Sequence, residues 1–333
     1  MSRQQQIRFV YRRPIKGFYS IERVFALIKK EEDQSGTHDI VLPFNSNGLI
    51  SIVLNILWLM RYRKGVFHVT GHAHYAVLGL PPKRTILTIH DLGFLDSNYG
   101  IKRWLLKLIF LQLPLKRVAI LTTISEKTKQ EIMKHTGCAS DRILVVPNPA
   151  DPGLFLSRKP FNAIEPRILF LGTKSNKNLE RSIAALAGLP LHLRIIGELE
   201  GQQEELLIKF KINYSNVTGL SDQDLWSEYD QCDLVLFPSL YEGFGLPIIE
   251  AFQSGKPIVT SSIEPMKSLS GGAAYLTDPS SIKSIRQSVL TAIQDSSERT
   301  SKIERGKAIA ALFDPSGIRA TYRQLWNQLL CVE

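Results

Sequence analysis

The sequence predicts two doubly wound α/β domains, each a parallel sheet flanked by crossover helices. Three observations predict it. A length of 333 residues is about two domains at roughly 150 residues each. Short β-branched runs bounded by turn residues alternate with longer amphipathic stretches, the pattern of right-handed β-α-β crossovers. A segment dense in Pro and Gly (147–153, PNPADPG) interrupts the alternation near the middle and suits a linker. The expected domains are 1–152 and 153–333.

In the first half, strands are predicted at 67–70, 85–89, 120–123 and 143–146, each rich in Val, Ile, Thr or Phe. Helices are predicted near 21–32, 50–61, 101–115 and 126–135, where apolar residues recur at helical spacing. In the second half, strands fall at 167–171, 191–196, 234–237 and 258–260. Helices fall near 179–187, 204–211, 222–229, 247–254 and 282–294. A last amphipathic stretch, 315–330, follows them.

Composition narrows the class. With 44% hydrophobic and 22% charged residues the chain is an ordinary globular protein, and collagen, disordered and disulfide-scaffold classes are excluded. The longest apolar run, 49–60, contains Asn55 and stops at Arg61, short of the ~20 residues a membrane span needs. The first residues lack the apolar core of a secretory signal. Cys138, Cys232 and Cys331 are widely spaced and read as reduced thiols of a cytoplasmic protein. Charge divides unevenly, at +12 over residues 1–150 and −2 over the remainder. Such a field favours a phosphate-bearing ligand or an anionic membrane surface, whereas no nucleic-acid module is visible.

The segment 233–251 (DLVLFPSLYEGFGLPIIEA) carries the chemistry. An apolar strand ends at Phe237, a loop holds Gly243 and Gly245, and Pro247 opens a helix. Strand, glycine loop and helix N-terminus make an anion site, with backbone amides aimed outward. Two carboxylates frame it: Glu242 before the loop and Glu250, expected in the first helical turn. An acid beside an anion site repels its ligand unless it binds hydroxyls. A sugar nucleotide supplies diphosphate, ribose diol and sugar ring together.

The two glutamates eight positions apart, with EGFGLPIIEA between and around them, resemble the retaining glycosyltransferases of family four, which have the GT-B fold of two Rossmann-like domains facing across a cleft. Segments 88–91 (TIHD), 123–129 (TISEKTK), 145–149 (VVPNP), 171–179 (LGTKSNKNL), 216–222 (NVTGLSD) and 255–262 (GKPIVTSS) fall in that family's order. The resemblance implies catalytic roles for Glu242, His90 and Lys177, the last neutralising the departing diphosphate. It implies donor-sugar and phosphate contacts at Gly243, Phe244, Gly245, Leu246, Thr173 and Lys174. Glu250 would hold the ribose, with Gly219 and Leu220 bordering the base. Thr173 stands where the family usually has a basic residue, and Lys174 substitutes. Lys16, Gly17 and Tyr19 occupy the place of a glycine-rich acceptor loop. The family's C-terminal helix packs back on the first domain, which is the expectation for 315–330.

The implied function is retaining, metal-independent transfer of a hexose from a nucleoside-diphosphate sugar, with GDP-mannose as first donor. The acceptor is a glycan or a lipid-linked glycan of surface-polysaccharide assembly. UDP- or dTDP-sugar transfer, a non-hydrolysing UDP-sugar epimerase and a non-catalytic sugar-nucleotide-binding scaffold stay as alternatives. A nicotinamide dehydrogenase would need GxGxxG after the first strand, which is missing.

Two further patterns have plainer readings. Asp222 and Asp224 imitate a metal-binding DxD, but Ser221 before them reads as a helix cap. His72 and His74 have no evident third ligand, so no metal or cofactor is expected. Stretch 101–115, with Lys102, Arg103 and Lys107, reads either as a membrane-surface helix or as a buried one. The expected location is cytoplasmic, peripheral on the inner face of the membrane.

Overall fold

Two six-stranded, wholly parallel sheets organise the chain, which is described here from a computed structural model covering residues 6–14, 20–29, 37–46, 48–96 and 98–331. Contacts divide it into two units, with breaks between Pro149 and Ala150 and between Asp314 and Pro315. The first break lies within the linker read from the sequence, three residues before the expected boundary between 152 and 153. The helix from Pro315 groups with the first unit, although its residues follow the whole of the second.

The first unit contains β1 (Ile7–Tyr11), α1 (Ser20–Lys29), β2 (Thr37–Val41), α2 (Leu49–Leu59), β3 (Val66–Val69) and β4 (Thr85–Ile89). Then follow α3 (Gly93–Asp96), α4 (Gly100–Lys107), a π-turn at Leu108–Gln112 and α5 (Leu113–Arg117). β5 (Ile120–Thr123), α6 (Glu126–Thr136) and β6 (Ile143–Val145) complete the sheet, in the order β2-β1-β3-β4-β5-β6. The stretch read as one helix over 101–115 is thus three pieces. Its first part buries nothing, whereas Phe110, Leu111 and Leu115 enter the core. The buried reading holds for the second half, while the first half stays at the surface.

The second unit contains β7 (Arg167–Leu171), α7 (Leu179–Leu186), β8 (His192–Ile196), α8 (Gly201–Lys209), β9 (Tyr214–Val217) and α9 (Asp222–Gln231). It continues with β10 (Leu234–Phe237), α10 (Leu246–Gln253), β11 (Ile258–Ser261), α11 (Met266–Ser270), β12 (Tyr275–Thr277), α12 (Ile282–Gln294) and α13 (Ser296–Ala311). Strand order β12-β11-β10-β7-β8-β9 reverses direction between β7 and β10. Ligands of open parallel sheets bind beyond the strands' carboxyl ends at such a reversal. β7 and β10 are also buried nearly throughout, as strands covered on both faces must be.

The last helix, α14 (Pro315–Leu330), presents Ile318, Tyr322, Leu325, Trp326 and Leu329 to the first sheet. Trp326 meets Phe9 edge-on at 5.5 Å, and its indole N–H donates to His68 Nδ1 at 3.3 Å. That bond requires the proton on His68 Nε2, which donates to Thr88 Oγ1 at 2.7 Å. Thr88 in turn meets Thr122 at 2.7 Å. Aromatic packing and a satisfied polar chain therefore fix α14 to β3, β4 and β5. Truncating such a ring to Ala costs about 3–5 kcal/mol.

Burial, above all, lowers the pKa of three histidines in this unit: His68 to about 3, His74 to about 4 and His90 to about 3. All are neutral when folded at pH 7, while the unfolded chain protonates them below about 6.5. Stability is therefore full above that value and is lost as pH falls towards 3 or 4. The expected loss is about 1 kcal/mol per pH unit for each histidine. Urea unfolding at pH 7 and pH 5 checks this; equal midpoints would contradict it.

Candidate active site

Gly172, with φ 85°, turns the chain after β7 into a short 3-10 turn at Ser175–Lys177. Asn178 follows in the left-handed conformation, φ 67°, and caps α7. Its fully buried amide donates to the Pro238 carbonyl at 3.0 Å and the Pro279 carbonyl at 2.7 Å. One side chain thereby ties the loop after β7 to those after β10 and β12. Asn176 adds a second tie, donating to the Tyr241 carbonyl at 3.1 Å and accepting from the Leu240 amide at 2.8 Å.

These ties bring Lys177 to Glu242. The ammonium donates to Oε1 at 2.6 Å and sits 4.9 Å from the Phe237 ring centroid, with both partners half-buried. Lys177 runs over Gly172, where an added Cβ would meet its Cγ at 3.1 Å. Beyond Glu242, the loop passes Gly243 and Phe244 to Gly245, whose φ of 106° starts α10 at Leu246. Phe244 is buried against Phe313, ring centroids 5.7 Å apart, so its backbone rather than its ring lines the loop.

Because Gly245 caps the helix, Glu250 is its fifth residue and not in the first turn. The expectation of a first-turn acid is corrected accordingly, and macrodipole compensation does not explain this buried carboxylate. Glu250 instead accepts the Tyr229 phenol, from α9, at 2.6 Å. A carboxylate has lone pairs on both oxygens, so this bond orients the acid while leaving it able to accept others.

Thr173 is tied into the protein by both its hydroxyl and its carbonyl. Its hydroxyl donates to the Glu198 carbonyl and its carbonyl accepts from Gln203 Nε2 at 2.7 Å, so the side chain braces the loops after β7 and β8. The cause is Gly197, whose φ of 140° brings the neighbouring loop against Thr173, 3.0 Å from where a Cβ would stand. Lys174 is exposed on the same loop. Gly219, φ 68°, and Leu220 follow β9, two strands beyond β7 on the same sheet edge. At about 4.8 Å per strand that is roughly 10 Å from β7, within the length of a nucleotide. The Asp222–Asp224 pair belongs to a helix cap, Ser221 and Asp224 bonding each other's backbone amides.

In the first unit, His90 follows β4. Its Nε2 donates to the Thr70 carbonyl at 2.8 Å, and the ring is held by Phe25 and by Gly71. Segments 88–91 and 123–129 are joined there, Thr123 and Thr128 donating to the carbonyls of Ile89 and His90 at 2.9 and 3.3 Å. His74 Nδ1 bonds the Phe110 carbonyl at 2.8 Å, and among the described residues no group of three or more His, Cys, Asp or Glu is placed to hold a metal ion. Lys16, Gly17 and Tyr19 lie outside the described residues.

Sequence reasoning missed Asn176, Asn178, Gly197 and Tyr229. Of these, the asparagines lay within the quoted loop and the glycine followed a predicted strand. Tyr229 gave no signal, because its partner is 21 residues away on another helix.

Two family descriptions match the chain, one over each half. The description Glycosyltransferase Family 4 matches residues 4–154, and Glycosyl transferases group 1 matches 157–309. The chain belongs to this glycosyltransferase family and has its GT-B fold. It is 25% identical over 324 residues to O-antigen chain mannosyltransferase B of Escherichia coli, covering 88% of this chain and 84% of that protein. It is 27% identical over 260 residues to the serotype-specific mannosyltransferase WbdA of Escherichia coli, covering 68% of this chain but only 31% of that one. Among solved structures, Anabaena Alr3699/HepE in complex with UDP and glucose has a TM-score of 0.77 at 15% identity, covering 97% of this chain and 100% of that chain.

Two outcomes are expected. Gly71→Ala would place a methyl 2.7 Å from His90 Cδ2 at a φ of 132°. It should displace that ring and lower turnover at least tenfold while far-UV circular dichroism is unchanged. Tyr229→Phe should weaken nucleotide binding several-fold, read by calorimetry, because it removes one hydrogen bond of about 1 kcal/mol or more to a charged acceptor.

Proposed function

We propose that the protein transfers a hexose, with retention, from a nucleoside-diphosphate sugar to a glycan or lipid-linked glycan of surface-polysaccharide assembly. The observation that carries this reading is the Lys177–Glu242 pair at the reversal between β7 and β10, beside the glycine-started helix α10. The mannosyltransferase relatives favour GDP-mannose as donor. The UDP bound by the Anabaena protein keeps a UDP-sugar as the second reading.

In this reading the second unit holds the donor and the basic first unit meets the acceptor. Lys177, paired with Glu242 before donor binds, turns to the diphosphate, and the loop amides of 243–246 supply further donors. Negative charge grows on the diphosphate as the anomeric C–O bond breaks, and groups already in place stabilise it without reorganising. No metal is assigned to that task. Glu242 then accepts from hydroxyls of the hexose, and Glu250, oriented by Tyr229, accepts from the ribose diol. The acceptor oxygen attacks from the face the diphosphate leaves, and its proton passes to the departing phosphate oxygen. His90, neutral and with Nε2–H engaged, serves by hydrogen bonding rather than as an acid.

Among the described residues no helix is long and apolar enough to cross a membrane. Contact with a lipid-linked acceptor is accordingly proposed as peripheral, on the inner face of the cytoplasmic membrane and through the basic first unit.

Thermal-shift screening with GDP-, UDP- and dTDP-sugars should single out one donor, GDP-mannose first. NMR of the product formed with chelator present should show a retained anomeric configuration; an inverted anomer rejects the mechanism. Glu242→Ala and Lys177→Ala should each lower kcat by about two orders of magnitude or more, as loss of an electrostatic partner does. An epimerised donor without acceptor, or binding without turnover, would favour the epimerase or scaffold alternatives.

A further inference from the structure

Helix α2 is built inside out. Surface helices turn polar residues to water and apolar ones to the core. In α2 and its C-cap the opposite stripe faces solvent: Leu49, Ile50, Val53, Leu54 and Leu57, with Met60 capping the helix, are all exposed, Ile50 to 78%. The buried side holds Ile52 and Leu59, and also Asn55, which is completely buried. Asn55 is satisfied there. Its amide donates to the Phe44 carbonyl at 2.9 Å and Tyr75 Oη at 2.8 Å, and its Oδ1 accepts the Phe44 amide at 3.1 Å. An outer stripe of large apolar side chains, with the helix's amide inside, needs a cover other than water.

Charge identifies the cover. Arg61, Arg63 and Lys64 follow the stripe, and residues 40–90 contain no Asp or Glu. The Arg61 guanidinium stacks 3.8 Å from the Trp58 ring centroid, so aromatic and cation stand together at the helix end. Pairing two copies face to face would bring like charges together. An anionic lipid surface supplies hydrocarbon for the stripe and phosphates for the basic end. Eleven residues at about 1.5 Å each cannot cross a core of about 30 Å, so the helix lies along the interface. Ile101 and Trp104 of α4, exposed to 80% and 60% beside Lys102 and Arg103, provide a second, smaller contact.

We infer that α2 is the principal membrane-inserting element, seating its apolar stripe in an anionic bilayer while the residues after it bind headgroups. This rests on the proposed peripheral contact and assigns it to a helix. The experiment is co-sedimentation of the full chain with vesicles of phosphatidylcholine containing about one third phosphatidylglycerol. Wild type should bind, more weakly as salt rises. A double variant, Ile50→Gln with Leu57→Gln, should bind at least tenfold more weakly, with an unchanged Tm because both side chains are exposed. Ile101→Gln with Trp104→Gln should lose less. Unchanged binding of the α2 variant beside a binding wild type overturns the assignment to α2 and leaves peripheral contact standing. No binding by wild type at low salt overturns both. Light scattering that shows a dimer abolished by the α2 substitutions, with vesicle binding retained, would assign the stripe to a second copy and overturn the proposal.

Discussion

A lysine and a glutamate 65 residues apart meet at 2.6 Å, and the candidate site depends on that meeting. Neither position is set locally. β7 and β10 are neighbours only because the strand order, in a sheet that stays parallel, reverses between them. Their loops stay in register because Asn178 reaches two other loops from a backbone conformation that side-chain-bearing residues seldom adopt. The ion pair is only partly exposed, so its charges act through less solvent than surface ones do. Removing one partner leaves the other poorly compensated, which makes the pair a poised arrangement rather than a source of stability.

The same economy of long-range ties shapes the surroundings of Glu250. Glu250 stands on one helix and Tyr229 on another, and the phenol fixes where the carboxylate points. Thr173, with Gly197 close beside it, likewise braces two adjacent loops. The loops of the candidate site are thus held by side chains that bond neighbouring loops and helices.

Much of this was legible in the sequence. Parallel alternation, the glycine loop and the two glutamates follow from composition and spacing, and the segments of the family stand in order. The missed strands were hidden by physical context. β2 (THDIV), β9 (YSNV) and β12 are sheet edges, where polar residues and short length erase the apolar run. β1 is central, but Arg8 interrupts it, its guanidinium lying over Tyr62 and bonding the Lys64 carbonyl. Glu250 was misplaced by a single residue, because a left-handed Gly245 begins the helix before Pro247. Pair partners such as Tyr229 depend on which strands become neighbours, which no local pattern encodes.

The membership of α14 in the first unit has a consequence for biosynthesis. The second unit is one uninterrupted stretch, 150–314, and can close as soon as it is made. The first must wait, for the aromatic faces of Phe9 and Phe25 are covered by Trp326 and Tyr322. At ribosomal speeds of roughly 5–20 residues per second, those faces stay bare for on the order of ten seconds or more. The half translated first is therefore the half completed last.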